Sequence, residues 1–148
     1  MQRMAARVDI MYKVPDTRAV VRQRHFETLG FKKKIKSVGL VDSYVIDARL
    51  TIHEYRAIAR IFIDQLVQTA TVNSANAQTR FNWAIEVGYL PGVTDNVGST
   101  AKETIEDFLK KKFEDGQGVY SSQITFLSGT ISEDEVRVIA DSLYNPLI

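Results

Sequence analysis

Residues 83–98 read WAIEVGYLPGVTDNVG. Trp83, Ile85, Val87 and Tyr89 alternate with Ala84, Glu86, Gly88 and Leu90, and a period of two places the first four on one face of a β-strand. Pro91-Gly92 then predicts a turn. Asp95 or Asn96 stands where a side-chain oxygen can accept from the free N–H groups of a helix start. Gly98, just inside that helix, has no side chain and so permits a close approach of helix to sheet.

Beyond this stretch, the spacing predicts a helix from about Val97 to Lys112, with Ala101, Ile105, Phe108 and Leu109 inward. Glu114–Gly118 is a turn, and Val119–Leu127 is a strand with Tyr120, Ile124 and Phe126 as its apolar positions. Ser132 and Glu135 have the spacing of a capping box and open a helix through about Tyr144, which Asn145-Pro146 ends.

The first half follows the same order. Val8, Ile10 and Tyr12 predict a strand, and Asp16 or Thr17 caps a helix that runs to about Leu29, with Ala19, the stem of Arg22, Phe26 and Leu29 inward. Gly30 is the expected stop. Val38–Asp47 reads as two apolar stretches about a turn near Gly39, with Tyr44–Ile46 its best strand. Thr51 and Glu54 form a second capping box, and the helix behind it presents Tyr55, Ile58, Ala59, Phe62 and Leu66. Val67–Val72 closes the unit, and the polar stretch 73–80 is a linker.

Sliding the chain over itself so that Asp16 meets Asp95 brings Ala19 onto Gly98, Phe26 onto Ile105 and Glu27 onto Glu106. A slightly larger displacement brings Thr51 onto Ser132, Glu54 onto Glu135, Ile58 onto Ile139 and Ala59 onto Ala140. Both capping boxes and both core stripes fall in phase, which marks a duplication. The expected fold is α+β: tandem β-α-β-β-α-β units, residues 6–72 and 81–148, with an antiparallel sheet packed on helices. Ile148 falls on Val67, so the second unit is expected to lack the closing strand of the first, as a fragment of a longer polypeptide would.

The 148 residues are one ordinary domain's worth. With no cysteine and a net charge of +1, the chain has no thiolate metal site and no disulfide framework, and no global field toward nucleic acid or membrane. Its composition suits the cytoplasm. GVTDNVGST departs from a phosphate-binding loop, which needs four residues between its glycines and then a lysine. Asp16 and Asp95 occupy equivalent places and read as caps suited to the helix dipole, not as an acid–base pair. His25 and His53 have no third ligand, so no metal and no cofactor are expected. Lys32–Lys34 with Lys36, and Lys110–Lys112, each follow the first helix of a unit, where cations suit the dipole; a basic contact to a nucleotide-bearing or acidic partner surface is the alternative. Trp83, the sole tryptophan, is a core residue or an interface anchor.

IEVGYLPGVTDNVGSTAKETIEDFL and ISEDEVRVIADSLYNPLI in the second half resemble the PurS-type domain. VDIMYKVPDTRA, HFETLGF and LTIHEYRAIARIF in the first half look like a diverged copy, in which Val14-Pro15 and Ala19 replace the Pro-Gly turn and the helix-start glycine. The resemblance covers residues 6–148. PurS-type domains are non-catalytic parts of phosphoribosylformylglycinamidine (FGAM) synthase, a glutamine-dependent, ATP-using ligase of purine biosynthesis. A tandem region of this kind lies at the N-terminus of the larger single-chain synthases. The resemblance implies a scaffold that bridges the glutaminase and synthetase parts, supports ammonia transfer and has no catalytic residue of its own. It leaves room for self-association. The alternative from the fold pattern is an ACT-like regulatory module that binds a small molecule between paired units. RNA binding on the sheet face would need a basic sheet with exposed aromatics, which the charge does not favour.

Overall fold

The computed structural model describes residues 2–3 (backbone only), 5–74, 81–90 and 92–147. Among the described residues the fold is α+β: a five-stranded antiparallel sheet with four helices on one face. In chain order the elements are β1 (Gln2–Arg3), β2 (Ala6–Tyr12), α1 (Thr17–Phe26), β3 (Ile35–Asp47), β4 (Leu50–Thr51), α2 (Ile52–Ile61), β5 (Gln68–Val72), β6 (Trp83–Gly88), α3 (Asn96–Leu109), β7 (Gly118–Gly129) and α4 (Glu133–Asp141). The sheet order is β5-β2-β3-β7-β6, and β1 pairs with β4.

The long strands β3 and β7 lie side by side at the centre, Val38 opposite Leu127 and Ile46 opposite Val119. Their midpoint pair is Asp42 and Gln123. These two are also each other's counterparts in the repeat, under the displacement that carries Thr51 onto Ser132. A pseudo-two-fold axis therefore passes through this pair and relates the halves.

The halves exchange buried helix side chains, although α1 lies over its own β3 and α3 over its own β7. One core combines Val8, Ile46, Tyr55 and Ile58 of the first half with Ala101 and Ile105 of α3. The other combines Leu127, Val136 and Ile139 of the second half with Phe26 of α1 and the neighbouring Phe31. Counterparts behave alike: Phe26 and Ile105 are fully buried, as are Ile58 and Ile139. Both capping boxes form, Thr51 with Glu54 and Ser132 with Glu135. Each carboxylate also receives a lysine from the opposite half. Lys111 Nζ lies 3.1 Å from Glu54 Oε2, and Lys34 pairs with Glu135.

Several local expectations change. The turn near Gly39 does not form, because β3 pairs with β7 without a break from Ser37 onward. α1 ends at Phe26 and passes into a wider turn, Glu27–Phe31, where Gly30 takes φ 99°. That turn swings Phe31 inward and leaves Leu29 40% exposed. α3 stops at Leu109, with Lys110 left-handed at φ 58°. Its buried stripe is Gly98, Ala101 and Ile105, a run at spacings of three and four, so Phe108 falls off the stripe and is 46% exposed. α4 ends at Asp141, short of Tyr144. Leu66 lies beyond α2 and is exposed. In β7 the inward residues are Val119, Thr125 and Leu127. Tyr120, Ile124 and Phe126 alternate with them and so point to the helix-free face. There Phe81 stacks on Phe126, ring centroids 5.0 Å apart. Of the predicted linker 73–80, residues 75–80 lie outside the described residues.

Candidate functional site

Trp83 begins β6, and its indole Nε1 donates to the Ile131 carbonyl at 2.9 Å. That bond ties it to the core of the second half, against Leu127 and Ile139. Pro91 lies outside the described residues. Gly92 takes φ 83°, a conformation glycine adopts without strain, and Val93 N donates to Leu90 O at 3.1 Å across the turn.

Asp95, and not Asn96, caps α3; Asn96 is the first helical residue. The Asp95 carboxylate accepts from Gly98 N at 2.8 Å, Ser121 N at 2.6 Å and Ser121 Oγ at 2.7 Å. The cap thus also fastens the helix to β7. Gly98 makes this approach possible, because a Cβ there would lie 2.4 Å from Val119 O. Asp16 caps α1 by accepting from Arg18 N at 3.0 Å. Its carboxylate also holds the Arg18 guanidinium, which reaches on to Asp42 at 3.0 Å. The hydrogen bond with Asp16 is the largest influence raising the Arg18 pKa above its ordinary value.

The site that sequence reasoning missed lies between these caps, on the helix side of the sheet over Asp42 and Gln123. Gln123 Nε2 donates to Asp42 Oδ1 at 3.2 Å. Arg22 Nη1 donates to Gln123 Oε1 at 2.6 Å and to Thr125 Oγ1 at 2.9 Å. Burial, and then the neighbouring Arg18, lower the Arg22 pKa. Burial, followed by the charges of Asp42 and Asp95, raises that of Tyr44. A cavity of about 370 Å³ opens beside Asp42, Tyr44, Ser121 and Tyr144. A second, of about 530 Å³, opens beside Arg18, Arg22 and His25. The two share Gln123 and Leu143.

On α3 the repeat places Val97 and Ala101 where α1 carries Arg18 and Arg22. Val97 lines the first cavity, and Arg18 and Arg22 line the second, so the groove that the two form is charged at one end and more apolar at the other. Ser121 meets the Asp95 carboxylate and no imidazole in its hydrogen bonds. What the arrangement can do is hold the helices in place and present hydrogen-bonding groups to a small molecule. Among the described residues no group of three His, Cys, Asp or Glu side chains could hold a metal ion. Among the same residues no helix is long and apolar enough to cross a membrane.

No family model matches the chain, and no curated protein matches it.

Proposed function

We propose that the chain is a non-catalytic scaffold of the PurS type, a cytoplasmic component of FGAM synthase in purine biosynthesis. It bridges the glutaminase and synthetase parts and supports ammonia transfer between them. The observation that carries this reading is the interlocked pair of repeats. The carboxylates of both capping boxes take their lysines from the opposite half, Glu135 from Lys34 and Glu54 from Lys111, as suits a rigid spacer between larger bodies. The sequence resemblance over residues 6–148 supplies the particular synthase.

The test is a reconstituted synthase assayed with glutamine and, separately, with free ammonia. Removing this chain should abolish most glutamine-driven turnover and leave more of the ammonia-driven reaction. If both reactions ignore the chain and no complex forms, the scaffold reading fails.

A second reading, the ACT-like regulatory module, is favoured by the groove on the pseudo-two-fold axis. Its Arg22 keeps Nε and Nη2 without a hydrogen-bond partner among the described residues. A melting temperature raised by an amino acid or a nucleotide would support that reading, since a ligand stabilises the state it binds.

A further inference from the structure

The two halves differ at one edge of the sheet. In the first half β2 lies between β3 and β5, and its inward residues Ala6, Val8 and Ile10 are only 3%, 0% and 5% exposed. Ala6 pairs with Ile46, and Trp83 pairs with Leu127. Ile46 and Leu127 are counterparts in the repeat, so register makes Trp83, Ile85 and Val87 the counterparts of Ala6, Val8 and Ile10. These three are only half-buried. β6 pairs with β7 on one side, and among the described residues no strand lines its other side.

We propose that the free edge of β6 is a docking site for an extended peptide strand. The strand runs antiparallel to β6 and carries the alternation of β5, QTATV. β5 itself, seated on β2, shows what the occupant looks like. It places Val72 opposite Val8, Ala70 opposite Ile10 and Gln68 opposite Tyr12. Carried across the axis, an apolar residue faces Ile85, a small one faces Val87 and a polar one faces Tyr89. Main-chain hydrogen bonds supply the attraction and the alternate side chains the selectivity.

Two further observations fit this occupant. In the first half, the chain leaving α2 is pinned beside the start of β5 by Lys13 N donating to Val67 O at 2.8 Å. In the second half, the chain leaving α4 lies at the corresponding place, with Leu143, Tyr144 and Asn145 lining one cavity with Val87 and Tyr89. The edge is also unguarded. Natural edges are blunted by lysine, proline or an inward charge, yet β6 has no lysine and no proline. Its single charge, Glu86, is held by Arg7 at 2.8 Å and by Ser122 at 3.0 Å. This proposal is independent of the scaffold reading.

The experiment appends a second copy of Gln68–Val72 directly after Ile148 of the full chain, and follows amide hydrogen exchange in β6. The amides facing away from β7 should exchange about 100-fold more slowly than in the parent chain, as a paired strand does relative to a free edge, and the melting temperature should rise. The same extension with proline at its two threonine positions should give neither effect. Unchanged exchange in the threonine-containing extension would overturn the proposal. So would β6 protection already present in the parent chain that grows with protein concentration, because a second copy of the chain would then occupy the edge.

Discussion

Gly98→Ala tests the packing of α3 on β7 with a single methyl group. An ideal Cβ at this position lies 2.4 Å from Val119 O and 2.7 Å from Asp95 Oδ2. The nearer contact is about 1 Å inside ordinary van der Waals distance, and close-packed interiors yield little to such a demand. α3 must therefore lift from the sheet or Asp95 must release Gly98 N and Ser121. Overpacking costs about 1–3 kcal/mol, and a weakened cap costs about 1 kcal/mol more. Replacing glycine by alanine inside a helix returns about 1 kcal/mol. The net loss is about 1–3 kcal/mol, which for a chain of this size lowers the melting temperature by roughly 3–10 °C. Ser99→Ala is the control, since Ser99 is exposed on the same turn and should leave stability unchanged or slightly raised. Thermal unfolding followed by circular dichroism reads both. A Gly98→Ala protein melting at or above the parent temperature would refute the close-approach argument.

Asp95→Ala should destabilise by about 2–3 kcal/mol in urea titrations, because it removes a cap and also strands the half-buried Ser121 amide. Asp16→Ala, whose backbone partner is Arg18 N alone, should lose only about 1 kcal/mol, and equal losses would contradict the added anchoring role of Asp95. Hydrogen bonds from Thr51 first, and then Lys111, hold Glu54 below the ordinary glutamate range, while Lys34 first, and then Ser132, do so for Glu135. A lowered folded pKa means that the stabilisation is present above the unfolded value and is lost as pH falls through the folded one. NMR titration should place both folded midpoints below those of the unfolded chain, and midpoints at or above them would reverse the sign. Lys111→Ala should raise the Glu54 midpoint only partway, because the Thr51 amide stays in place, and should change stability by less than about 1 kcal/mol, an effect that shrinks in salt. Arg22→Met should cost about 1–2 kcal/mol by leaving the buried Thr125 hydroxyl and Gln123 without their donor, as urea unfolding can show.

What was legible in the sequence was what depends on neighbours along the chain. Asp16, Asp95, Thr51 and Ser132 act within three residues of themselves, so their types announce the helix starts. Gly98 was legible because a glycine inside a helix weakens it, and close approach to the sheet is the gain that offsets this. The ends of helices were harder, since the stop at Lys110 rests on a left-handed lysine and not on glycine or proline. Tyr120, Ile124 and Phe126 did not reveal the inward face, because β7 carries apolar residues on both faces and the period of two does not say which face meets the helices. The groove was invisible for a different reason. Arg22 and Gln123 are remote in sequence, and they meet because α1 lies over β3, against which β7 is paired. The duplication shows in the sequence, but the exchange of buried helix side chains depends on how the strands are ordered across the sheet.

That exchange has a consequence during synthesis on the ribosome. When Ile61 has emerged, the first half has β2, β3 and α2, but the core around Val8, Tyr55 and Ile58 still lacks Ala101 and Ile105. Phe26 and Phe31 wait longer, for Val136 and Ile139. At typical elongation rates the interval between Ile61 and Ile139 is roughly 4–16 s. Throughout it the nascent chain carries apolar helix faces without their covers, which makes it a client for chaperones that hold unfinished chains. Slowing translation within residues 62–139 should therefore lower the soluble yield, whereas slowing it before Thr17 should not.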